Sequence, residues 1–421
     1  MSEKKKLFYP GANDTPEMSY EDRCHGMLVV SPQVTDANRK WMMPMVAQDI
    51  RDPEMGMVVV DNGSGLARIT ALMAQKAGRP CILFDPTLPD SAAFDVLGGE
   101  ENDVITAITR ARQMVTKNAP QYFQDLERLV LEKSIKVVKR LDKAYPDRGY
   151  ATLEYLRIII ANPNEGKGLI ARFSKIPCST ADETKEASDI ACWFMNEYYS
   201  EQSNIFESCI GLRNWPEQLK ARLSVWDKLS PEVGAEVLTL TDLDKCLSEG
   251  GIVCISLPRS KLCLESLFLI QVCLEKYYSV LRDRLDDEAK SALYLSVNGG
   301  GLSGDFPIML EELNRRKVAV TINCISPKVL GYGLTDRAVY MDKITALCEN
   351  WAIFGGISVE DDTKFATAFV GSDAFPTESS FRHRSFGSVA FWGVNDMGYA
   401  LPVQVFPEDV GAALVEEALE S

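Results

Sequence analysis

The feature that most constrains the fold is a repeated pairing of a short, wholly apolar run with an amphipathic helical segment. Before residue 100 the apolar runs are Met27–Val30, Met57–Val60 and Cys81–Phe84, and helical periodicity occupies Arg39–Ile50 and Leu66–Ala77. Strands that are apolar at every position and alternate with helices are typical of a parallel sheet covered on both faces. The sequence therefore predicts an α/β domain.

The same alternation returns after Gly251. The strands predicted there are Ile252–Leu257, Ala292–Val297, Val318–Cys324 and Trp351–Ile357, and the helices are Leu262–Leu281, Phe306–Arg315, Arg337–Cys348 and Asp361–Val370. A terminal antiparallel pair is predicted from Gly387–Trp392 and Tyr399–Gln404, followed by a helix over Val410–Leu419.

Between these two parts the periodicity is helical and no strand pattern is evident. The helices predicted there are Asp103–Val115, Gln121–Lys143, Tyr150–Ala161, Glu183–Tyr199 and Glu217–Lys228, with breaks at Pro120, 146–149, 162–166 and Pro177. We therefore predict a polar amino-terminal arm over 1–22, an α/β domain formed by 23–100 and 241–421, and an inserted all-α domain over 101–240. Five aromatic residues of the insert are candidates for helix-core packing or for anchors of a partner-binding surface, namely Trp193, Phe194, Tyr198, Tyr199 and Trp215.

Composition excludes several classes of function. The 421-residue chain has a net charge of −15, which argues against a broad nucleic-acid surface, although Arg315–Lys317 and Lys133–Lys143 concentrate positive charge. Two histidines and eleven scattered cysteines without a Cys-x-x-Cys pair argue against a zinc site and suit reduced thiols. No uncharged apolar run reaches about 18 residues, so no membrane-spanning helix is expected. We expect a cytoplasmic location.

The segment after the first strand is spaced like a phosphate-binding loop of pattern GxxxxGK[ST] with its functional residues replaced. Ser31 stands at the first glycine, Asp36 at the second, Ala37 at the lysine and Asn38 at the serine or threonine. The eight positions are Ser31, Pro32, Gln33, Val34, Thr35, Asp36, Ala37 and Asn38. An eight-residue turn built in this way should not hydrolyse ATP. The alternative is an ordinary strand–turn–helix with Asp36 near the helix amino terminus.

Two glycine-containing loops are candidate ligand sites. In the first, Asp61, Gly63 and Gly65 follow an apolar run, and Asp85 lies about 20 residues further on, as in a dinucleotide-binding fingerprint. The third glycine position is Arg68, so a tight βα turn is the competing interpretation.

The second loop contains Asn298, Gly299 and Gly300 and follows the predicted strand that ends at Val297. A nucleotide-hydrolysing sheet would carry an acidic pair at such a position, and neither Val297, Asn298 nor Gly299 can supply it. The loop is therefore either a flexible turn or a contact for another ligand. The sequence assigns no catalytic residue and no metal ligand.

Taken in order, several segments resemble the type IV secretion coupling proteins, the TraG/TraD-type conjugative DNA-transfer ATPases. These segments are His25–Pro32, Trp41–Ile50, Met57–Leu66, Cys81–Pro86 with Phe94–Leu97, Val318–Tyr332 and Phe354–Asp362. The helical insert also stands where that family places its all-α domain. The resemblance implies a P-loop NTPase-like (RecA-like) fold, with a mostly parallel sheet, helices on both faces and an inserted all-α domain.

The departures from the family bear directly on function. The phosphate loop, the acidic pair and a glutamine (here Asn323 or Cys324) are all replaced, and the family's amino-terminal membrane helices have no counterpart. We therefore expect a pseudo-ATPase without a cofactor, acting as a soluble adaptor or scaffold that recruits cargo or protein partners in a secretion or conjugation machine. Such a protein would work in a homo- or hetero-oligomer, in the cytoplasm beside an inner-membrane complex, and DNA binding is not expected.

Two alternatives stay open. The first is an active ATP-driven DNA or protein translocase with divergent motifs, which would use Mg-ATP and take Arg39 or Lys40 as its cationic phosphate ligand. The second is an α/β enzyme that binds another small ligand or a dinucleotide at the Asn62–Gly65 and Asn298–Ser303 loops.

Overall fold

The chain divides into two compact units. One comprises Met1–Phe84, Leu243–Ile270 and Val280–Ser421, and the other Asp85–Asp242 with Gln271–Ser279. The computed structural model describes residues 5–6, 17–116, 119–221, 223–230, 237–283, 290–297, 302–331, 334, 336–369, 381, 389–394, 400–405, 413 and 416. Residues 413 and 416 are helical, and the rest of the predicted helix over 410–419 lies outside that description, as do the candidate ligand residues Asn298, Gly299 and Gly300.

The first part of the sheet unit alternates strands and helices as predicted. Its elements are β1 (Lys5–Lys6), β2 (Glu17–Met18), α1 (Tyr20–Arg23), β3 (Met27–Val30), α2 (Val34–Ala37), α3 (Met43–Ile50), β4 (Gly56–Asp61), α4 (Leu66–Lys76) and β5 (Cys81–Phe84). A π-helical turn, Asn38–Met42, joins α2 to α3. Every residue of β3 and β4 is buried, which explains why both strands are apolar throughout.

The second unit is mostly helical. Its elements are β6 (Ala93–Phe94), α5 (Glu101–Val115), α6 (Gln121–Ala144), α7 (Leu153–Ala161), α8 (Pro163–Phe173), α9 (Ala181–Trp193), α10 (Ile205–Ser208), α11 (Ile210–Lys220), α12 (Leu223–Leu229) and β7 (Val237–Leu238). The predicted insert, 101–240, lies largely within this unit. The unit also contains a short parallel pair, β6 with β7, that the sequence pattern did not indicate.

Helix α8 occupies a stretch that the sequence interpretation took for a break. Pro163 stands in its first turn, where a missing N–H costs nothing, and the Asn162 side chain accepts a hydrogen bond from the Glu165 N–H. The proline and the asparagine before it therefore mark a helix start. Proline and asparagine between two helical patterns favour a cap as much as a loop.

The aromatic residues of the second unit form core rather than surface. Phe194, Tyr198, Tyr199 and Trp215 are buried and Trp193 is half-buried, and the two tyrosine hydroxyls donate to backbone carbonyls of α7. Of the two roles predicted for them, helix-core packing is the one observed for the four buried residues. They do not present anchors to a partner.

The remaining part of the chain completes the sheet unit, except for 240–242 and 271–279, which belong to the second unit. Its elements are α13 (Leu240–Ser248), β8 (Ile252–Ser256), α14 (Arg259–Leu262), α15 (Glu265–Asp283), β9 (Ser291–Val297), α16 (Phe306–Arg315), β10 (Val318–Cys324), α17 (Pro327–Leu330), α18 (Arg337–Leu347), β11 (Asn350–Phe354), α19 (Val359–Phe369), β12 (Val389–Val394) and β13 (Ala400–Val405). The predicted antiparallel terminal pair is confirmed as β12 and β13.

Within the described residues, the large sheet has nine strands in the order β13-β12-β11-β3-β10-β9-β4-β8-β5. The seven strands from β11 to β5 are parallel, and β12 and β13 run antiparallel at one end. Strands β4 and β8 are hydrogen-bonded neighbours although about 190 residues separate them, so the interrupted pattern in the sequence belongs to one sheet. The prediction of a mostly parallel α/β sheet is confirmed.

Two local expectations differ from the structure. Residues 17–22 do not form a loose arm: β2 pairs with β1, Met18 and Ser19 are buried, and Ser19 caps α1 with a reciprocal Asp22 contact. The predicted eight-residue turn over 31–38 is also wrong, because α2 begins at Val34. Without the glycines that would let the backbone circle a phosphate, the chain enters the helix after three residues.

Candidate functional site at the carboxyl ends of the strands

A row of polar side chains crosses the sheet near the carboxyl ends of its central strands. Asn323 of β10 is in register with Ser296 of β9, Ser296 with Asp61 of β4, and Asp61 with Ser256 of β8. Register partners on neighbouring strands point to the same face. All four are at most 3% exposed. Buried polar groups at this edge are notable because open α/β sheets bind ligands there.

The predicted phosphate-loop residues divide into two groups. Ser31 closes the short turn after β3, since its hydroxyl accepts from the Gln33 N–H at 3.1 Å and contacts the Gln33 carbonyl at 3.0 Å. Val34 and Ala37 are buried in α2, and Thr35 is exposed. Of the eight side chains, that of Asn38 hydrogen-bonds to the polar row.

Asn38 is fully buried and ties the helix to two strands. Its Nδ2 donates to Ser296 Oγ at 2.9 Å, and its Oδ1 accepts from Asn323 Nδ2 at 2.7 Å. Asn323 Nδ2 also donates to the Val34 carbonyl at 3.1 Å, which fixes the first turn of α2. The helix start is therefore held by neutral side-chain amides.

Proton counting gives this network a direction. Ser64 Oγ lies 2.5 Å from Asp61 Oδ1 and 2.9 Å from Ser296 Oγ. A carboxylate only accepts and each hydroxyl has one proton, so Ser64 donates to Asp61. Of the two acceptors within reach of the Ser296 hydroxyl, Ser64 Oγ at 2.9 Å is nearer than Asn38 Oδ1 at 3.2 Å, so we take Ser296 to donate to Ser64. The chain of donors then runs from Asn323 through Asn38, Ser296 and Ser64 to Asp61. Aligned bonds of this kind polarise one another, and here they end on the row's single carboxylate.

Asp61 organises the turn that follows β4. Its Oδ1 accepts from the N–H groups of Gly63 at 3.0 Å and Ser64 at 2.8 Å, as well as from the Ser64 hydroxyl. Gly63 and Gly65 have φ of +134° and +86°, conformations that need glycine, so the tight βα turn is the role observed for both. Asp61 Oδ2 is buried and has no hydrogen-bond partner in the part of the chain that the structure describes.

Charges beside the loop positions neutralise one another. Asp36 accepts from Lys40 Nζ at 3.0 Å and from Arg39 at 3.5 Å. At the lysine position of a phosphate loop, Ala37 is fully buried. The two cations that a divergent nucleotide site would need are therefore held by a neighbouring carboxylate one helical turn away.

Sequence reasoning identified Asp61, Asn38 and Asn323 but missed Ser256 and Ser296. The available signal was weak: each is a single serine near the end of an otherwise apolar run. Among the described residues no cluster of three or more His, Cys, Asp or Glu side chains is arranged to hold a metal ion. Over the same residues, none of the helices is long and apolar enough to cross a bilayer.

With this geometry in view, the chain was compared with known proteins. No protein-family model and no curated sequence matches it. Among solved structures it is similar to the bacterial conjugative coupling protein TrwBdeltaN70 in its unbound form, with a TM-score of 0.61 and 12% identity over 97% of this chain and 90% of that one. The chain has the fold of the conjugative coupling proteins.

Two further similarities support the same assignment of fold. TrwB in complex with ADP and Mg²⁺ gives a TM-score of 0.61 and 13% identity, covering 97% of this chain and 90% of that chain. VirB4 of Thermoanaerobacter pseudethanolicus gives 0.51 and 10%, covering 96% and 97%. The predicted resemblance, with its P-loop NTPase-like fold, is thus confirmed as a similarity of structure.

Proposed function

We propose that this chain is a catalytically degenerate component of a type IV secretion or conjugation machine, acting as an adaptor or scaffold that recruits cargo or partner proteins without ATP. The fold of the coupling proteins, matched over 97% of the chain, supports a role as a component of such a machine. The polar row supports the loss of hydrolysis. The partners would be proteins of the secretion complex in a homo- or hetero-oligomer, and the location the cytoplasm beside the inner membrane.

The observation that carries this proposal is the contact between Asn38 and Ser296. In P-loop NTPases the Ser/Thr of the loop and an acid of a nearby strand hold Mg²⁺ between them. Asn38 stands at that Ser/Thr position, and its amide is bonded directly to an uncharged serine. A metal ion entering there would break the donor chain and gain no carboxylate from Ser296.

The lysine position adds to this argument. A charge-assisted hydrogen bond to phosphate contributes on the order of 1.5–3 kcal/mol, and Ala37 cannot form one. Asp36 would repel a polyphosphate unless Arg39 and Lys40 stayed on it. If those cations stay on Asp36, they are not available as phosphate ligands in the active-translocase alternative.

Calorimetry with Mg-ATP tests the proposal. We expect ATP to bind with a dissociation constant weaker than about 1 mM, equivalent to less than about 4 kcal/mol of binding free energy, and no turnover above a blank. Binding in the micromolar range, or turnover lost in an Arg39→Ala variant, would establish the active-translocase alternative instead.

A second candidate function is favoured by one atom. The buried, partnerless Asp61 Oδ2 is an acceptor suited to a ligand that carries a hydroxyl or amine donor. Screening uncharged and cationic small molecules by thermal shift would reveal such a ligand if its effect disappeared in Asp61→Asn. If no ligand shows that dependence, the small-ligand function is rejected and the adaptor role is the proposal that is left.

A further inference from the structure

The opposite edge of the sheet contains an open groove of about 450 Å³. Its lining includes the residues that lead into three neighbouring strands: His25 before β3, Lys317 before β10 and Glu349 before β11. Because these strands are parallel and adjacent in the sheet, their amino ends meet at one edge. The groove is thus separate from the polar row at the carboxyl ends.

Hydrogen bonds fix the wall of the groove. Lys317 has a φ of +57°, unusual for a residue with a side chain, and its carbonyl accepts from the Tyr20 hydroxyl at 2.6 Å and the Cys24 thiol at 3.1 Å. Burial raises the pKa of Cys24 to about 12, so the thiol keeps the proton that it donates. Asn314 Nδ2 donates to the Leu347 carbonyl at 2.7 Å and joins α16 to α18.

Acceptors predominate among the polar groups of the groove. Glu21, Glu311 and Glu349 line it, all exposed. Asn314 Oδ1 is buried and has no donor among the described residues. The groove therefore offers carboxylate oxygens to an incoming group that carries N–H donors, while Asn314 Oδ1 is enclosed in its wall.

Two cations and one histidine also line the groove. Arg315 is paired with Glu312 at 2.6 Å, and Lys317 projects from an exposed turn. His25 Nδ1 lies 3.3 Å from Glu349 Oε2 in an exposed pair, which a stronger donor can displace. The groove lining therefore contains three carboxylates and two cations, and one of these cations, Arg315, is already paired with Glu312.

We propose that this groove binds a basic segment of a partner protein, with a Lys or Arg side chain placed beside Asn314, Glu311 and Glu349. Its volume lies in the range of sites that enclose a ligand of a few residues' size. Ala346 and Leu347 provide an apolar surface for the methylene stem of such a side chain. A chain of net charge −15 also attracts a basic partner at long range.

This inference deepens the proposed adaptor role and rests on it for the nature of the partner. It differs from the surface expected on the helical insert, whose named aromatic residues lie mainly in the core. The groove gives the sheet unit a recruitment site independent of nucleotide. ATP binding and peptide binding are separate measurements, so either proposal can fail without the other.

The test uses the full chain and a fluorescein-labelled peptide of alternating arginine and serine, with a glutamate–serine peptide for comparison. We expect saturable binding of the basic peptide, and hydrogen-exchange protection confined to residues 21–26, 311–317 and 346–349. Glu311→Gln with Glu349→Gln should weaken binding about tenfold or more, since it removes two charged acceptors. Ala346→Arg, which places a guanidinium in the groove, should abolish it.

The matched control is Glu197→Gln with Glu201→Gln, which removes the same charge from exposed positions of the second unit. We expect this pair to change the affinity by less than about twofold, because distant exposed charges are screened at physiological salt. Equal losses in both double variants would reduce the effect to non-specific attraction and overturn the proposal. Protection located elsewhere, or equal affinity for the acidic peptide, would overturn it as well.

Discussion

The two edges of the same sheet are built in opposite ways. At the carboxyl edge, neutral amides and hydroxyls hydrogen-bond to one another and the series ends on Asp61. Its members are buried except Ser64, which is half-buried. At the amino edge, carboxylates, a histidine and a lysine stand around an open groove. The edge where P-loop proteins bind phosphate is filled with protein–protein hydrogen bonds, and the edge without that role has unfilled space.

This difference indicates where binding energy is still available. A buried network gains little from a ligand where its groups are already hydrogen-bonded, because a new bond there replaces an existing one. Asp61 Oδ2 and Asn323 Oδ1 are the exceptions, since neither has a partner among the described residues. Exposed carboxylates lose nothing comparable when a cationic partner arrives. In a degenerate motor, the carboxyl edge of the sheet would therefore stabilise the fold, and the amino edge would bind partners.

The largest expected effect concerns the buried ion pair between Arg23 and Asp49. Arg23 forms a bidentate pair with Asp49 at 2.7 and 2.6 Å and donates to the Tyr294 hydroxyl at 2.8 Å, with both ionic side chains at most 9% exposed. Arg23→Ala should lower the free energy of unfolding by about 3–5 kcal/mol, since it leaves a buried carboxylate without its partner. Urea denaturation followed by circular dichroism measures this.

The matched variant removes both charges. Arg23→Met with Asp49→Leu should recover at least half of that loss, because no isolated charge then stays buried. A cost below about 1 kcal/mol for Arg23→Ala would contradict the view that the amino edge rests on a buried ion pair.

The next effect tests the carboxyl edge. Asn38→Ala should cost about 2–3 kcal/mol, because it removes the acceptor of Asn323 and the donor of Ser296 while both stay buried. Thr35→Ala, at an exposed position of the same helix, is the control and should change stability by less than about 0.5 kcal/mol. Equal effects of the two changes would mean that the network does not hold the helix start.

A pH series sharpens the account of the groove wall. The raised pKa of Cys24, about 12 against an ordinary 9.0, means that the native state holds this proton more tightly than the unfolded chain. Its stabilising contribution is complete below pH 9 and is lost as the pH rises from about 9 towards about 12. Alkylation at pH 9 should modify the exposed Cys192 and Cys263 at least about a hundredfold faster than Cys24.

Mass-spectrometric mapping of the alkylated cysteines measures that ratio, and denatured protein, in which all three thiols react, supplies the control. Comparable rates in the native protein would show that the Cys24 thiol is not shielded behind the groove.

The smallest effect separates binding from stability. His25 and Glu349 are about half exposed, at 52% and 47%, so their pair should contribute less than about 0.5 kcal/mol. His25→Ala should therefore leave the urea midpoint unchanged and alter only peptide affinity. A loss of stability comparable to that of Asn38→Ala would remove the contrast between a structural edge and a binding edge.

Much of the architecture follows from local pattern. The apolar runs that became β3, β4, β8, β9 and β10 predicted a parallel sheet, because strands buried on both faces have no polar side to show. The run that became β5 is as apolar, although it lies at the end of the sheet and is half-buried at three of its four residues. Helix starts were less well predicted, as α2 and α8 demonstrate. The same residues, Pro, Asn, Asp and Ser, favour both turns and caps, and only the backbone path decides between them.

Sequence alone also determined which chemical groups are missing: no change of fold supplies a lysine at Ala37 or an acidic pair at Val297, Asn298 or Gly299. Tertiary structure alone decided what took their place. The donor chain joins Asn38 to Ser296 and Asn323, residues 258 and 285 positions apart, through strand register that no local pattern specifies. The groove likewise collects residues 21–25, 311–317 and 346–349, which meet because three parallel strands begin at one edge.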